Sequence, residues 1–104
     1  LGPAAGQTPA VQALAERLLR DGVEECLTVA GRDLCRVALS ELLRDRGRHD
    51  EAWGAVAPAV EAGPALDIVW TEAVRVALAR GRLDEARALA RSARTACAPS
   101  GDPL

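Results

Sequence analysis

Apolar residues recur along the chain at spacings of three and four residues, which is the period of an amphipathic helix. Between these stretches stand glycines that we interpret as turns, at Gly22, Gly31, Gly47, Gly63 and Gly81. The β-branched residues never alternate with polar ones for long, so no strand is predicted. The pattern therefore predicts an all-α fold of helices joined by tight turns.

About six helices are expected from this pattern. The first follows Thr8 and Pro9, an N-cap hydroxyl with proline at the first helical position, and should end near Asp21. A two-turn helix over 23–30 is favoured over a loop. Pro58 is expected to kink its helix or end it early. Four longer helices are predicted, over 32–46, 48–62, 65–80 and 82–97.

Gly47 and Gly81 stand 34 residues apart, and their surroundings repeat with them. Small or apolar residues occur at matching distances from the two glycines. The matching pairs are Leu39 and Ala73, Leu43 and Ala77, Ala52 and Ala86, Val56 and Ala90, and Ala59 and Ala93. A fixed period of this length is typical of repeat architectures.

Two successive copies over residues 33–98 resemble the tetratricopeptide repeat, a helix-turn-helix unit with the same period. Trp70 matches the large residue that the family prefers early in the first helix, and Pro64 matches its closing proline. The chain departs from the family pattern at Arg36, Val74 and Ala98. The resemblance implies an antiparallel helix-turn-helix array, a fragment of an α-solenoid.

The 104 residues suffice for one domain, and a fragment of a longer protein is an equal alternative. The period does not extend upstream of Asp33. The expected organisation is a disordered segment over 1–7, one helical-repeat domain over 8–98, and a disordered tail over 99–104. Within the domain, 8–31 is a cap or a degenerate repeat, 33–64 the first repeat and 65–98 the second.

Alanines are expected where neighbouring helices touch, because two helices approach closely only where side chains are small. The expected contact points are Ala52, Ala59, Ala86 and Ala93. Trp70 is interpreted as a core residue. For Trp53, packing and an exposed contact are both left open.

Composition counts against several classes of protein. With 27% charged residues and a formal net charge of −2, the chain lacks the positive excess of a nucleic-acid-binding protein. It has no signal-peptide pattern at its start and no apolar run of membrane-spanning length. We therefore expect an intracellular, cytoplasmic protein, and the nucleus remains an alternative.

The residues with chemical potential are few. Cys26, Cys35 and Cys97 form no CxxC pair and have no neighbouring histidines, so neither a disulfide framework nor a metal site is predicted. His49 stands beside Asp50 and is interpreted as a solvated turn residue. The sequence predicts no enzyme, no cofactor and no small-molecule substrate.

In tetratricopeptide-like folds the first helix of each pair lines a concave groove. The resemblance places seven residues of this chain there: Val37, Glu41, Arg44, Thr71, Glu72, Arg75 and Leu78. They do not reproduce the Asn- and Lys-based clamp by which some family members hold a C-terminal carboxylate. Their mixture of charged and apolar side chains suits a short amphipathic segment, and Arg44 and Arg75 are expected to hold an acidic one between them. We therefore predict a scaffold that binds a peptide or helical segment of a partner protein.

Two other functions stay open at this point. A self-associating, dimerising helical domain would pair through the ends of the array, near Val11 and Leu14 or near Leu89 and Cys97. An RNA-binding repeat of the pentatricopeptide kind shares the hairpin but has a period of about 35. The net acidity and the absence of Asn count against that second alternative.

Overall fold

The structure is a computed structural model that describes residues 8–96. It contains five helices, namely α1 (Pro9–Glu25), α2 (Val29–Asp45), α3 (His49–Ala62), α4 (Asp67–Ala79) and α5 (Leu83–Ala96). No strand occurs in residues 8–96, and the predicted all-α class is confirmed. The predictions for 1–7, for 99–104 and for Cys97 lie outside the described residues.

The described range holds five helices instead of six, because residues 23–30 do not form a helix of their own. α1 starts after Thr8, whose Oγ1 accepts a hydrogen bond from Val11 N at 3.2 Å, as predicted, but it runs past Asp21 to Glu25. α2 begins after Thr28, whose Oγ1 accepts from Gly31 N at 3.0 Å. The residues Cys26–Thr28 connect the two helices, and the side chain of Leu27 is 96% exposed.

Gly22 and Gly31 lie inside helices, so the predicted turns at these two glycines are wrong. A Cβ atom at Gly22 would lie 2.7 Å from the Cys35 Sγ, and a Cβ at Gly31 would overlap the Cys26 Sγ. Gly22 therefore permits close packing between α1 and α2, and Gly31 leaves room for Cys26 of the connection. Neither glycine turns the chain.

Gly47 and Gly81 do turn the chain, with φ values of 77° and 72°. In the first turn Gly47 N donates to Arg44 O at 3.0 Å and Arg48 N donates to Leu43 O at 2.9 Å. The second turn has the same two bonds 34 residues later, from Gly81 N to Leu78 O at 3.0 Å and from Arg82 N to Ala77 O at 2.9 Å. This pair of bonds around a left-handed glycine is the Schellman motif. The 34-residue period is thus a period of the backbone as well as of the sequence.

Pro58 does not end α3, which continues to Ala62. Gly63, with a φ of 84°, then leads into the connection to α4. The carboxylate of the buried Asp33 accepts a hydrogen bond from Ala65 N at 3.0 Å, which fixes this connection to α2.

The helices pack as two hairpins, α2 with α3 and α4 with α5. α4 also lies against both helices of the first hairpin, and α1 lies against α2. The larger core cluster consists of Val37, Val56, Ala59, Val69, Ala73, Ala77, Ala86 and Leu89.

The expected alanine contacts are confirmed for Ala52, Ala59 and Ala86, which are each at most 4% exposed. Ala93 is only half-buried, because no described helix packs on its side of α5. Trp53 packs against the larger cluster and lies 5.7 Å from the Arg80 guanidinium, so packing is its role. It also packs against a smaller core cluster, which consists of Leu39, Leu43, Ala52, Ala55 and Val76. Trp70 is partly buried against the larger cluster.

α1 contributes no fully buried residue, and both packing and charge join it to the hairpins. Leu19 packs against the smaller core cluster, and Gly22 lies close to Cys35 of α2. Arg46 pairs with Glu16 at 3.1 Å, and 34 residues later Arg80 pairs with Asp50 at 3.1 Å. The same ion pair thus links α1 to the end of α2 and α3 to the end of α4. None of the helices in the described range is long and apolar enough to cross a membrane.

Candidate binding surface

A buried carboxylate lies where α2 and α4 meet. Glu72 is 1% exposed and accepts a hydrogen bond from Ser40 Oγ at 2.8 Å. Arg44 donates to both of its oxygens, each at 3.0 Å. A carboxylate this deeply buried is tolerated only with such partners, since an unpaired buried charge is strongly unfavourable. The three side chains therefore fix the two helices side by side.

Arg44 is committed to this contact. The hydrogen bonds to Glu72 raise the pKa of its guanidinium above the ordinary value, although partial burial acts in the opposite direction. Its planar fork is already used by one carboxylate in bidentate geometry. Arg44 is thus not free to share a partner's acidic segment with Arg75.

The structure divides the seven residues of the predicted groove into two groups. Val37 and Glu72 are buried, at 3% and 1% exposure, and Arg44 is turned towards Glu72. Thr71 and Leu78 are exposed on α4. Glu41 on α2 and Arg75 on α4 face each other, with 3.9 Å between Glu41 Oε2 and Arg75 Nη1. Four of the seven therefore remain on the surface, and their partner-binding role stays a prediction.

Two further aliphatic residues belong to this surface. Leu34 is 53% exposed and stands seven residues before Glu41, on the same face of α2. Ile68 is 43% exposed and stands seven residues before Arg75, on the same face of α4. The two residues are 34 apart, and that recurrence is the sequence signal that could have identified them. We call the set Leu34, Glu41, Ile68, Thr71, Arg75 and Leu78 the α2–α4 face.

A second cluster of charge joins α1 to the turn between α2 and α3. Arg48 donates to Glu16 Oε1 at 2.8 Å, and Arg20 donates to Glu16 Oε2 at 2.9 Å. The hydrogen bond from Arg48, followed by that from Arg20, lowers the pKa of Glu16 to about 2. Arg48 also binds Glu51 and lowers the pKa of that carboxyl below its ordinary value. Every charged group here has a partner within the chain, so this cluster is a structural joint.

The described range shows little that points to catalysis or metal binding. Cys26 and Cys35 are free, half-buried thiols. Between residues 8 and 96, no three His, Cys, Asp or Glu side chains converge as metal ligands would. His49 is half-buried at the first position of α3. The α2–α4 face is therefore the better candidate for a binding surface.

No protein-family model, curated protein or solved structure gives a significant match to this chain.

Proposed function

We propose that this chain is a tetratricopeptide-like helical array and that it binds a short amphipathic segment of a partner protein on the α2–α4 face. The observation that carries this proposal is a repeated surface pattern. Each hairpin has an exposed aliphatic side chain seven residues before a charged one. The pairs are Leu34 and Glu41 on α2, and Ile68 and Arg75 on α4. Exposed aliphatic side chains next to polar ones are typical of surfaces that bind proteins.

The α2–α4 face combines a fixed spacing between its two helices with an ion pair that can change partners. Glu72 is bound by Ser40 and Arg44 directly beneath it, so the spacing between α2 and α4 is set by buried hydrogen bonds. The ion pair between Glu41 and Arg75 is long and exposed. Such exposed pairs contribute at most about 1 kcal/mol. A carboxylate on the partner can therefore replace Glu41 as the ion-pair partner of Arg75, with little loss of free energy.

These features define the chemistry of the segment. It has aliphatic side chains that cover Leu34, Ile68 and Leu78, and at least one carboxylate that reaches Arg75. A charge-assisted hydrogen bond that is shielded from water typically contributes about 1.5–3 kcal/mol. Arg44, which the sequence placed in the same role, supports the surface from below.

Selection from a library of random twelve-residue peptides tests the proposal. We expect the bound peptides to be rich in aliphatic residues with Asp or Glu, and to lose affinity at least about tenfold for the Arg75→Glu variant. Arg87→Glu, at an exposed position of α5, is the matched control and should leave binding unchanged. Peptides that bind the Arg75→Glu and Leu34→Ser variants as well as the original chain would refute this assignment.

A further inference from the structure

The surface of the second hairpin that points away from the first hairpin forms an open apolar depression. It has a volume of about 550 Å³ and lies between α4 and α5. We call its apolar part, Trp70, Val74, Ala90 and Ala93, the C-terminal face. Thr71 and Arg75 lie on the edge that it shares with the α2–α4 face.

The first hairpin has an equivalent surface, and a helix covers it. The residues 34 positions before Trp70, Val74, Ala90 and Ala93 are Arg36, Ser40, Val56 and Ala59. Ser40, Val56 and Ala59 are at most 4% exposed, because α4 lies across α2 and α3. On the second hairpin the matching Val74 and Ala93 are half-buried and Ala90 is exposed. The C-terminal face thus has the shape of a helix-binding surface, and none of the helices within residues 8–96 covers it.

The occupant of this face must differ from α4 at one position. α4 carries Glu72 over the first hairpin, where Ser40 and Arg44 bind it. The residues 34 positions after those two are Val74 and Leu78, which offer no hydrogen bond. A helix seated here needs an aliphatic side chain in the place of Glu72, because a buried carboxylate without partners is strongly unfavourable.

α1 has such a side chain on an uncovered surface. Val11, Leu14 and Leu18 form one stripe and are 46%, 47% and 60% exposed. Their spacing of three and four residues is that of Val69, Glu72 and Val76, which α4 buries against the first hairpin. Leu14 takes the place of Glu72 in this alignment. Ala90 is also smaller than Val56, its counterpart, which leaves room for leucine side chains.

We propose that the C-terminal face of one copy of this chain binds α1 of a second copy. Val11, Leu14 and Leu18 of α1 then occupy the positions that Val69, Glu72 and Val76 of α4 occupy on the first hairpin. The contact joins two different surfaces, one at each end of the array. Such a heterologous contact does not close on itself as a twofold dimer does, so copies add head to tail. The contact shares only the edge residues Thr71 and Arg75 with the α2–α4 face, and the proposal does not depend on peptide binding there.

Sedimentation velocity of the chain as a function of concentration is the first measurement. We expect the weight-average sedimentation coefficient to rise continuously with concentration, without a plateau at the dimer. Leu14→Glu disables α1, and Val74→Glu disables the C-terminal face. Each variant alone should remain a monomer, with association weakened about a hundredfold or more because a charge would be buried without a partner. Leu27→Glu, at the exposed connection between α1 and α2, is the control and should associate normally.

Mixing the two variants is the decisive experiment. The Leu14→Glu chain keeps a working C-terminal face and the Val74→Glu chain keeps a working α1, so an equimolar mixture should form a dimer and stop there. Circular dichroism verifies that both variants fold, and Leu18→Glu and Ala90→Glu replace them if either does not. A chain that stays monomeric at millimolar concentration, or two variants that do not associate with each other, would overturn the proposal. Dimerisation that survives Val74→Glu but not Leu14→Glu would also overturn it, since it would mean that α1 pairs with α1.

Discussion

Glu72 is the residue at which the two hairpins are locked together. It is buried at 1% exposure and accepts hydrogen bonds from Ser40 and Arg44 across the contact between α2 and α4. Its neighbours on α4 that face the core are aliphatic or small. The arrangement gives one allowed seating of α4 on α2, because any axial shift would leave the carboxylate without its partners.

Glu72→Ala should lower the free energy of unfolding by about 2–3 kcal/mol, because it leaves the partly buried Arg44 without an acceptor. Glu41→Ala removes a carboxylate of the same kind from the exposed pair with Arg75 and should lower the free energy by less than about 1 kcal/mol. Urea unfolding of both variants measures the difference. Equal losses would show that the buried contact stabilises the fold no more than the exposed pair does.

Glu16 should make stability depend on acid. Its pKa in the folded protein is about 2, against an ordinary value of 4.5, so the ionised form is favoured by folding. The stabilisation is therefore complete above pH 4.5 and is lost as the pH falls towards 2. Urea midpoints measured across this range should fall less steeply for Glu16→Gln than for the original chain. Glu24→Gln, at an exposed position of the same helix, should keep the original slope.

The sequence shows which residues are charged, but it did not predict which groups those side chains contact. The sequence placed Arg44 and Glu72 on a binding groove, whereas the structure uses them on each other. They are 28 residues apart, and their pairing depends on how the second hairpin is seated on the first. That seating involves helix positions that sequence periodicity alone does not fix.

At the level of the helices, a glycine predicted a turn correctly only where the backbone has a positive φ. Gly47 and Gly81 have positive φ and end their helices, and the predicted hairpins follow from them. Gly22 and Gly31 stay inside helices, since a glycine there costs only about 1 kcal/mol relative to alanine. Gly22 meets Cys35 across the contact between α1 and α2, and Gly31 meets Cys26 in the connection, and helix periodicity reveals neither contact.

Two glycine substitutions compare a glycine at positive φ with a glycine in the interior of a helix. Gly81→Ala should lower the free energy of unfolding by about 1 kcal/mol or more, because alanine is strained at a φ of 72° even though its Cβ meets nothing within 4 Å. Gly54→Ala also meets nothing within 4 Å, but in the regular interior of α3, and should raise the free energy by about 0.5–1 kcal/mol. Thermal unfolding of both variants checks the opposite signs. Destabilisation by Gly54→Ala would contradict the explanation.

The alanines of α5 should respond to enlargement according to which side of the helix they occupy. Ala86 is 4% exposed in the larger core cluster, so Ala86→Leu should destabilise by about 1–3 kcal/mol through overpacking. Ala88 is exposed on the same helix, and Ala88→Leu should be tolerated. Chemical denaturation of both variants provides the comparison. A similar loss at Ala88 would show that this side of α5 is covered in solution.

At the scale of the whole molecule, the 34-residue period predicted two hairpins, and the described residues contain both of them. It did not predict the place of α1, because α1 has glutamate at position 25, where the repeats have the small residues Ala59 and Ala93. α1 nevertheless lies on α2, and Arg46 binds Glu16 as Arg80 binds Asp50. The ion pairs of this attachment are contacts that apolar periodicity cannot detect, and Leu19 of α1 also packs against the smaller core cluster.

This mode of attachment makes the connection between α1 and α2 a natural site of limited proteolysis. Leu27 is 96% exposed, and the residues on either side of it, Cys26 and Thr28, have the extended backbone that protease active sites bind. A protease with a preference for leucine should cut here first and leave a resistant fragment that contains α2 to α5. Mass spectrometry of a timed digest identifies that fragment, and a first cut within α3 or α4 would contradict the expectation. Because α1 buries no residue completely, protonation of Glu16 should weaken the binding of the cut α1 to the fragment α2 to α5.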